Sequence, residues 1–263
     1  MKGTNLNDIV LVFNVNRFNM SARDMFSFVD TGLGNIKPKL IIFQGYEKVS
    51  YYIGRDAISK FPVLLLVGEP IGQNISYLKL HIKSHLKTNH TINNVIGTIE
   101  GRQKDKYLLI TSHHDALGMF GNIHFPGAQD NAIGVAAMLD LATHYAKPEN
   151  RPPYSIMFIA FAGEEIGTLG SKHFVNNPAI PLNNIHLVLN LDLVGSGSVG
   201  LQMMNGTAKN TEKIFAAFNK INKDEFYFHK LQATDHRCIS DHCPFVEANV
   251  PALFLMTMGL EHQ

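Results

Sequence analysis

The sequence predicts an α/β sandwich around a largely parallel or mixed sheet, and three observations carry that prediction. From about Asn93 onward, apolar runs alternate with segments of helical periodicity, the order expected of strands joined through helices. Runs such as YSIMFIAFA (154–162) are continuously apolar, which reads as buried strand. The chain has 263 residues and is 45% hydrophobic, enough for the full core of one large α/β domain or of one domain plus part of another.

In the first part, DIVLVF (8–13), KLIIF (39–43) and FPVLLLVGE (61–69) read as short strands, and SARDMFSFVDTG (21–32) as a helix. SYLKLHIKSHLK (76–87) places Leu78, Leu80, Ile82 and Leu86 on one parity and Lys79, His81, Lys83, His85 and Lys87 on the other, a period of two that predicts a half-buried strand with a solvated basic face. The texture changes near residue 92, which divides the chain into a flanking region, 1–92, and a larger domain, 93–263. In the larger domain NVIGTIEG, KYLLITS, YSIMFIAFA, HLVLNLDL and PALFLMT read as strands. Helices are expected near 131–146, from 164, and near 209–221. The first of these carries Ala132, Val135, Ala136, Leu139 and Ala142 at helical spacing, a candidate buried face.

Lys plus Arg number 23 and Asp plus Glu 22, a net charge of +1 that offers no broad attraction for nucleic acid or an anionic membrane. No stretch approaches the length of a transmembrane helix, and the first residues lack the apolar region of a signal peptide. Cys238 and Cys243, in RCISDHCPF, have a spacing that could close a small disulfide but fall short of the four ligands of a structural zinc site, and read first as free or loosely paired thiols. Asn74, Asn89 and Asn205 begin N-x-S/T triplets, which carry little weight without a secretory context.

In open α/β sheets ligands sit outside the carboxyl ends of the strands, so the residues just after each apolar run matter most. KYLLITS leads into His113, His114 and Asp115, PGAQDNAIG carries Asp130, IMFIAFAG leads into Glu164 and Glu165, and HLVLNL ends at Asp192. Singly, each has an ordinary reading as a sheet-end polar residue, a helix first-turn acid or a turn cap. Together they gather carboxylates in one cleft, where they repel one another and resist desolvation unless cations bind them. Imidazole and carboxylate suit zinc or a similar divalent ion, a shared carboxylate can hold two ions, and an adjacent unliganded glutamate can serve as base.

The series SHHDALG, PGAQDNAIG, AFAGEEIGTLGS, NLDLVG, SDHCPF and VPALFLMTMGLEH resembles the zinc-dependent M28 peptidases from about Asn94 onward. The resemblance implies a three-layer α/β/α sandwich with a mixed, mostly parallel central sheet, as in zinc-dependent exopeptidases. It also implies two zinc ions and a peptide substrate. His113 and Asp192 take the places of ligands of one ion, Asp130 that of the bridging carboxylate, and Glu165 that of a ligand of the other ion. Glu164 takes the place of the general base, acting on a water between the ions, and Asp115 that of the acid that orients the imidazole. His114 matches a variable position. Ser240, Asp241 and His242 are implied to line the substrate cleft, and the peptide after Asp130 to be cis.

The N-terminal region looks like part of a protease-associated domain, which implies a secreted or periplasmic setting. The resembled family has one more histidine ligand than this chain aligns, so the sequence reads as cut short before it: the second ion keeps Asp130 and Glu165 but loses its imidazole, its site is expected to be weak or empty in this chain, and His262, His236 and His242 are the candidate substitutes. The expected activity is removal of N-terminal residues from peptides. Alternatives are a carboxypeptidase, a glutaminyl cyclase, or a catalytically silent peptidase-like binding domain.

Overall fold

The computed structural model describes residues 9–18, 28–34, 36–46, 61–72, 75, 77–82, 89–120 and 122–259. The chain forms two compact units, residues 1–89 and 90–263. In the first, β1 (Val10–Asn14), α1 (Val15–Phe18), β2 (Leu40–Tyr46) and β3 (Val63–Val67) build a parallel three-stranded sheet in the order β1-β2-β3. Val15, Val29, Leu33, Ile41 and Phe43 form its core.

The second unit holds β4 (Val95–Ile99), β5 (Gln103–His113), β6 (Gly118–Phe120), β7 (Ile123–Phe125), α2 (Ile133–Tyr145), β8 (Tyr154–Phe161), α3 (Leu169–Asn176) and β9 (Ile185–Leu191). It continues through β10 (Gly200–Met204), α4 (Glu212–Glu225), β11 (Leu231–Thr234), α5 (Cys243–Glu247) and β12 (Ala252–Met258). Seven strands form one sheet in the order β11-β10-β12-β9-β5-β8-β4. Its pairs are parallel except β10 with β12 and β4 with β8, the mixed, mostly parallel sheet expected.

The continuous apolar runs follow from burial on both faces of this sheet. In β8, Met157, Ile159 and Phe161 enter one core together with Phe174 of α3 and Phe245 of α5. The alternate residues Ile156, Phe158 and Ala160 enter a second core, with Met138 of α2 and, from α4, Ile214, Phe215 and Phe218. Helices therefore cover both faces, and the three layers are a consequence of period-two sorting along β8.

Several expectations are corrected. Residues 77–82 run irregularly with every side chain exposed, because the alternating pattern finds no ladder partner among the described residues; 83–88 lie outside them. The expected helix at 21–32 is seen only as a single π-helical turn over Phe28–Gly32, its earlier residues also lying outside. In α2 the buried residues are Gly134 and Met138, flanked by half-buried Val135, Ala137, Leu141 and Ala142, whereas Ala132, Ala136 and Leu139 are exposed. Small residues satisfied both phases, and Met138 is what faces the sheet. Asn205 is 2% exposed and donates from Nδ2 to the Ala252 carbonyl at 2.8 Å, which removes that triplet as a glycan acceptor.

Met138→Ala is expected to cost about 2 to 5 kcal/mol and Leu139→Ala less than about 1 kcal/mol, read from urea midpoints. Equal costs would contradict this orientation of α2.

Candidate metal centre

Parallel pairing of β5 with β8 and β9 sets the site. Thr111 pairs with Asn190 and His113 with Phe161, so the chains leaving β8 and β9 pass on either side of His113, the last residue of β5. Asp192 follows β9 directly. Asp130 comes from a π-helical turn, Ala128–Ala132, that leads into α2. The peptide between Asp130 and Asn131 is cis, as the resemblance implies. Asn131 is buried and donates from Nδ2 to Ser112 Oγ and the Leu191 carbonyl, both at 2.9 Å, tying this turn to the ends of β5 and β9. Gly134 is required below it, because a Cβ there would stand 2.2 Å from Asn131 Oδ1.

The His113 ring is 1% exposed. Nδ1 lies 3.0 Å from the Asp115 carbonyl oxygen, an acceptor only, so Nδ1 carries the proton. Nε2 then faces two carboxylates, Asp130 Oδ1 at 3.0 Å and Asp192 Oδ1 at 3.3 Å. A lone pair directed at two anions is repulsive unless a cation lies among them. Burial by itself lowers the basicity of the ring, but the carboxylates of Asp115, Asp130 and Asp192 override it and raise its pKa strongly. The three donor atoms lie within 4.8 Å of one another, and an imidazole with two carboxylates is a donor set that fits a divalent ion such as zinc.

The helix expected from 164 begins instead at Leu169. Gly163, at φ 74°, and Thr168, at φ 57°, bracket a turn in which the amides of Gly167 and Thr168 both donate to the Glu164 carbonyl, at 2.8 and 2.9 Å. The carboxylate of Asp115 pins this turn, accepting the amide protons of Glu164 and Glu165 on its two oxygens at 3.2 Å each. That carboxylate is 3.7 Å from His113 Nδ1, so the imidazole is oriented by the backbone carbonyl of Asp115 while its side chain holds the two glutamates. Burial, then the charges of Asp241 and Asp192, push Glu164 up to about 8. Burial, then Asp130, push Glu165 to about 7. The Glu165 carboxylate is not part of the three-donor cluster. His114 is exposed and reaches the Asn93 carbonyl at 3.2 Å.

Ser240, Asp241 and His242 are buried beneath the site, at 1%, 0% and 0% exposure, instead of lining an open cleft. Ser240 Oγ donates to Asp192 Oδ2 at 2.6 Å and accepts from Asn190 Nδ2 at 2.8 Å, while Thr111 Oγ1 donates to Asn190 Oδ1 at 2.8 Å. Asp241 Oδ1 accepts from Ser171 Oγ at 2.5 Å. Sequence reasoning missed Thr111, Ser171 and Asn190, and the one signal for Asn190 is a polar residue inside the apolar run HLVLNL. Cys238 and Cys243 are disulfide-bonded, a correction to the thiols expected, because the loop between them returns to a Cα separation of 4.9 Å. His262 lies outside the described residues.

His242 packs against His236 and Phe254, with ring centroids 5.3 Å away in each case. Burial, then the neighbouring His236, lower its pKa from 6.5 to about 4. A histidine held neutral in the fold contributes stability that is full above the unfolded value and is lost as pH falls toward the folded one. Between pH 6.5 and about 4, metal-free wild type is expected to lose up to about 3 kcal/mol relative to His242→Gln, measured by denaturant unfolding. Parallel pH profiles for the two proteins would contradict the neutral assignment.

Comparison with known proteins agrees with this architecture. The profile of peptidase family M28 matches residues 94–262, more than half of the chain. Aminopeptidase YwaD of Bacillus subtilis is 31% identical over 144 residues, covering 54% of this chain and 30% of that protein, so the match spans less than a third of that relative's length. Among solved structures, a zinc aminopeptidase from Bacillus subtilis superposes with a TM-score of 0.65 at 21% identity, covering 94% of this chain and 59% of the other. A glutaminyl cyclase of Porphyromonas gingivalis gives 0.54 at 18% identity, covering 64% of each chain. Among the described residues no helix is long and apolar enough to cross a membrane. Because the family profile matches more than half of its length, the chain belongs to peptidase family M28.

Proposed function

We propose that the chain is the catalytic portion of a zinc-dependent exopeptidase that removes N-terminal residues from peptides, with residues 1–92 as a partial protease-associated-like flank. The observation that carries this reading is His113 Nε2 facing Asp130 and Asp192, with Glu164 held in the adjoining turn by Asp115. His113, Asp130 and Asp192 would hold one ion, and Asp130 with Glu165 a second. Ions held there supply Lewis acidity toward the scissile carbonyl and acidify water.

Glu164 accepts the proton of the attacking water and returns it to the leaving amine nitrogen. Burial keeps its carboxyl basic enough for that task, and positive charge at the neighbouring donor set draws its pKa back toward neutrality. Asp115 fixes the direction of Glu164 through the backbone without entering the chemistry. A disulfide beside the site supports an oxidising, extracytoplasmic setting.

Glu164→Gln, with metal content unchanged, is expected to lower kcat on aminoacyl amides by about 10² to 10⁴-fold. Undiminished turnover would sink the assignment of the base. Product mass separates the reading from a cyclase on the same fold, since a cyclase retains the N-terminal residue.

A further inference from the structure

The disulfide encloses the segment that supports Asp192. Between Cys238 and Cys243 lie Ile239, 52% exposed, and the buried triplet Ser240, Asp241 and His242. The chain thus dips from the surface to reach Asp192 with one hydroxyl, Ser240 Oγ to Oδ2 at 2.6 Å, and stays buried through Phe245. Its two ends are held very differently. Past Cys243, itself 2% exposed, α5 is anchored by Phe245, which is fully buried in the core with Phe161 and Phe174. Before it, residues 235–239 are irregular and exposed, with Asp235 bonded to Thr207 Oγ1 at 2.6 Å, the His236 ring against the buried His242 ring, and the Ile239 amide bonded only locally, to the Arg237 carbonyl at 3.0 Å.

We infer that the Cys238–Cys243 disulfide is a redox-sensitive clamp, whose reduction by a small thiol frees the exposed arm, loosens the hold of Ser240 on Asp192 and lowers metal affinity. The inference rests on Asp192 being a metal ligand. Cys238 is the exposed partner and Cys243 the buried one, so an external thiolate attacks Cys238 Sγ and Cys243 leaves as thiolate. A second external thiol then attacks the mixed disulfide, releasing Cys238. One protein disulfide and two thiols yield one protein dithiol and one external disulfide, a transfer of two electrons and two protons. The reduced pair is provided for: Glu247 Oε1 lies 3.5 Å from Cys243 Sγ and 3.8 Å from Cys238 Sγ, an acceptor within reach of both thiols.

Two measurements on the full chain test the clamp. The first is zinc affinity by competition with a chromophoric chelator, before and after a phosphine reductant, with thiols counted on the same samples. Reduction to two thiols per chain is expected to weaken binding by about tenfold, the scale of losing a support behind a ligand, and reoxidation to restore it. The Cys238→Ser, Cys243→Ser double variant should bind as the reduced protein does and ignore the reductant. The second is amide hydrogen exchange at residues 238–243 in zinc-free protein, expected to accelerate on reduction.

Two thiols in the untreated protein, or complete reduction with affinity unchanged, would overturn the clamp. Absence of zinc from both redox forms would instead overturn Asp192 as a ligand and with it the control of metal affinity. Exchange accelerated on reduction would then leave the clamp mechanical, and unaltered exchange would remove it altogether.

Discussion

The carboxyl end of the sheet depends on how one imidazole is turned. By giving the Nδ1 proton of His113 to the Asp115 carbonyl, the fold commits Nε2 to a space already occupied by the oxygens of Asp130 and Asp192. That commitment is costly without a cation, and the neighbouring glutamates are also pushed up, first by burial and then by the surrounding carboxylates. The same crowding that makes the protein alone electrostatically uncomfortable makes it receptive to a divalent ion. Structure and chemistry are linked here through a single ring orientation.

Neighbouring supports keep that arrangement from relaxing. Asp115 contributes twice, its carbonyl to the ring and its carboxylate to the amides of Glu164 and Glu165, so the position of Glu164 is coupled to that of His113. On the other side, Thr111, Asn190 and Ser240 form a relay across β5, β9 and the loop before α5 that ends on Asp192. Both supports run across strands whose parallel register is fixed by burial on two faces, where a slip of one residue would exchange the two cores.

Strands β4, β5, β8, β9 and β12 were legible as apolar runs, whereas β6, β7, β10 and β11 are short and partly polar and gave no such signal. The candidate ligands were legible because each follows such a strand. Less was legible where a pattern needed a partner the sequence does not name. The alternation in 77–82 asks for a neighbouring ladder, and the face of α2 rests on small residues that fit either phase until Met138 meets the sheet. The burial of Ser240, Asp241 and His242 was hidden for the same reason, since their motif is polar and only the tertiary placement of α5 draws it inside. The disulfide was equally a matter of geometry: five residues of separation allow a bridge or two thiols, and the return of the loop decides between them.

The measurement that tests the centre most directly is zinc bound per chain, by elemental analysis of protein dialysed against limiting zinc, for wild type beside His113→Ala. Zinc retained by wild type and lost from the variant, with both folded by circular dichroism, is the predicted result. Equal zinc in the two proteins, or none in wild type, would contradict the assignment of this imidazole and its carboxylates as a metal centre.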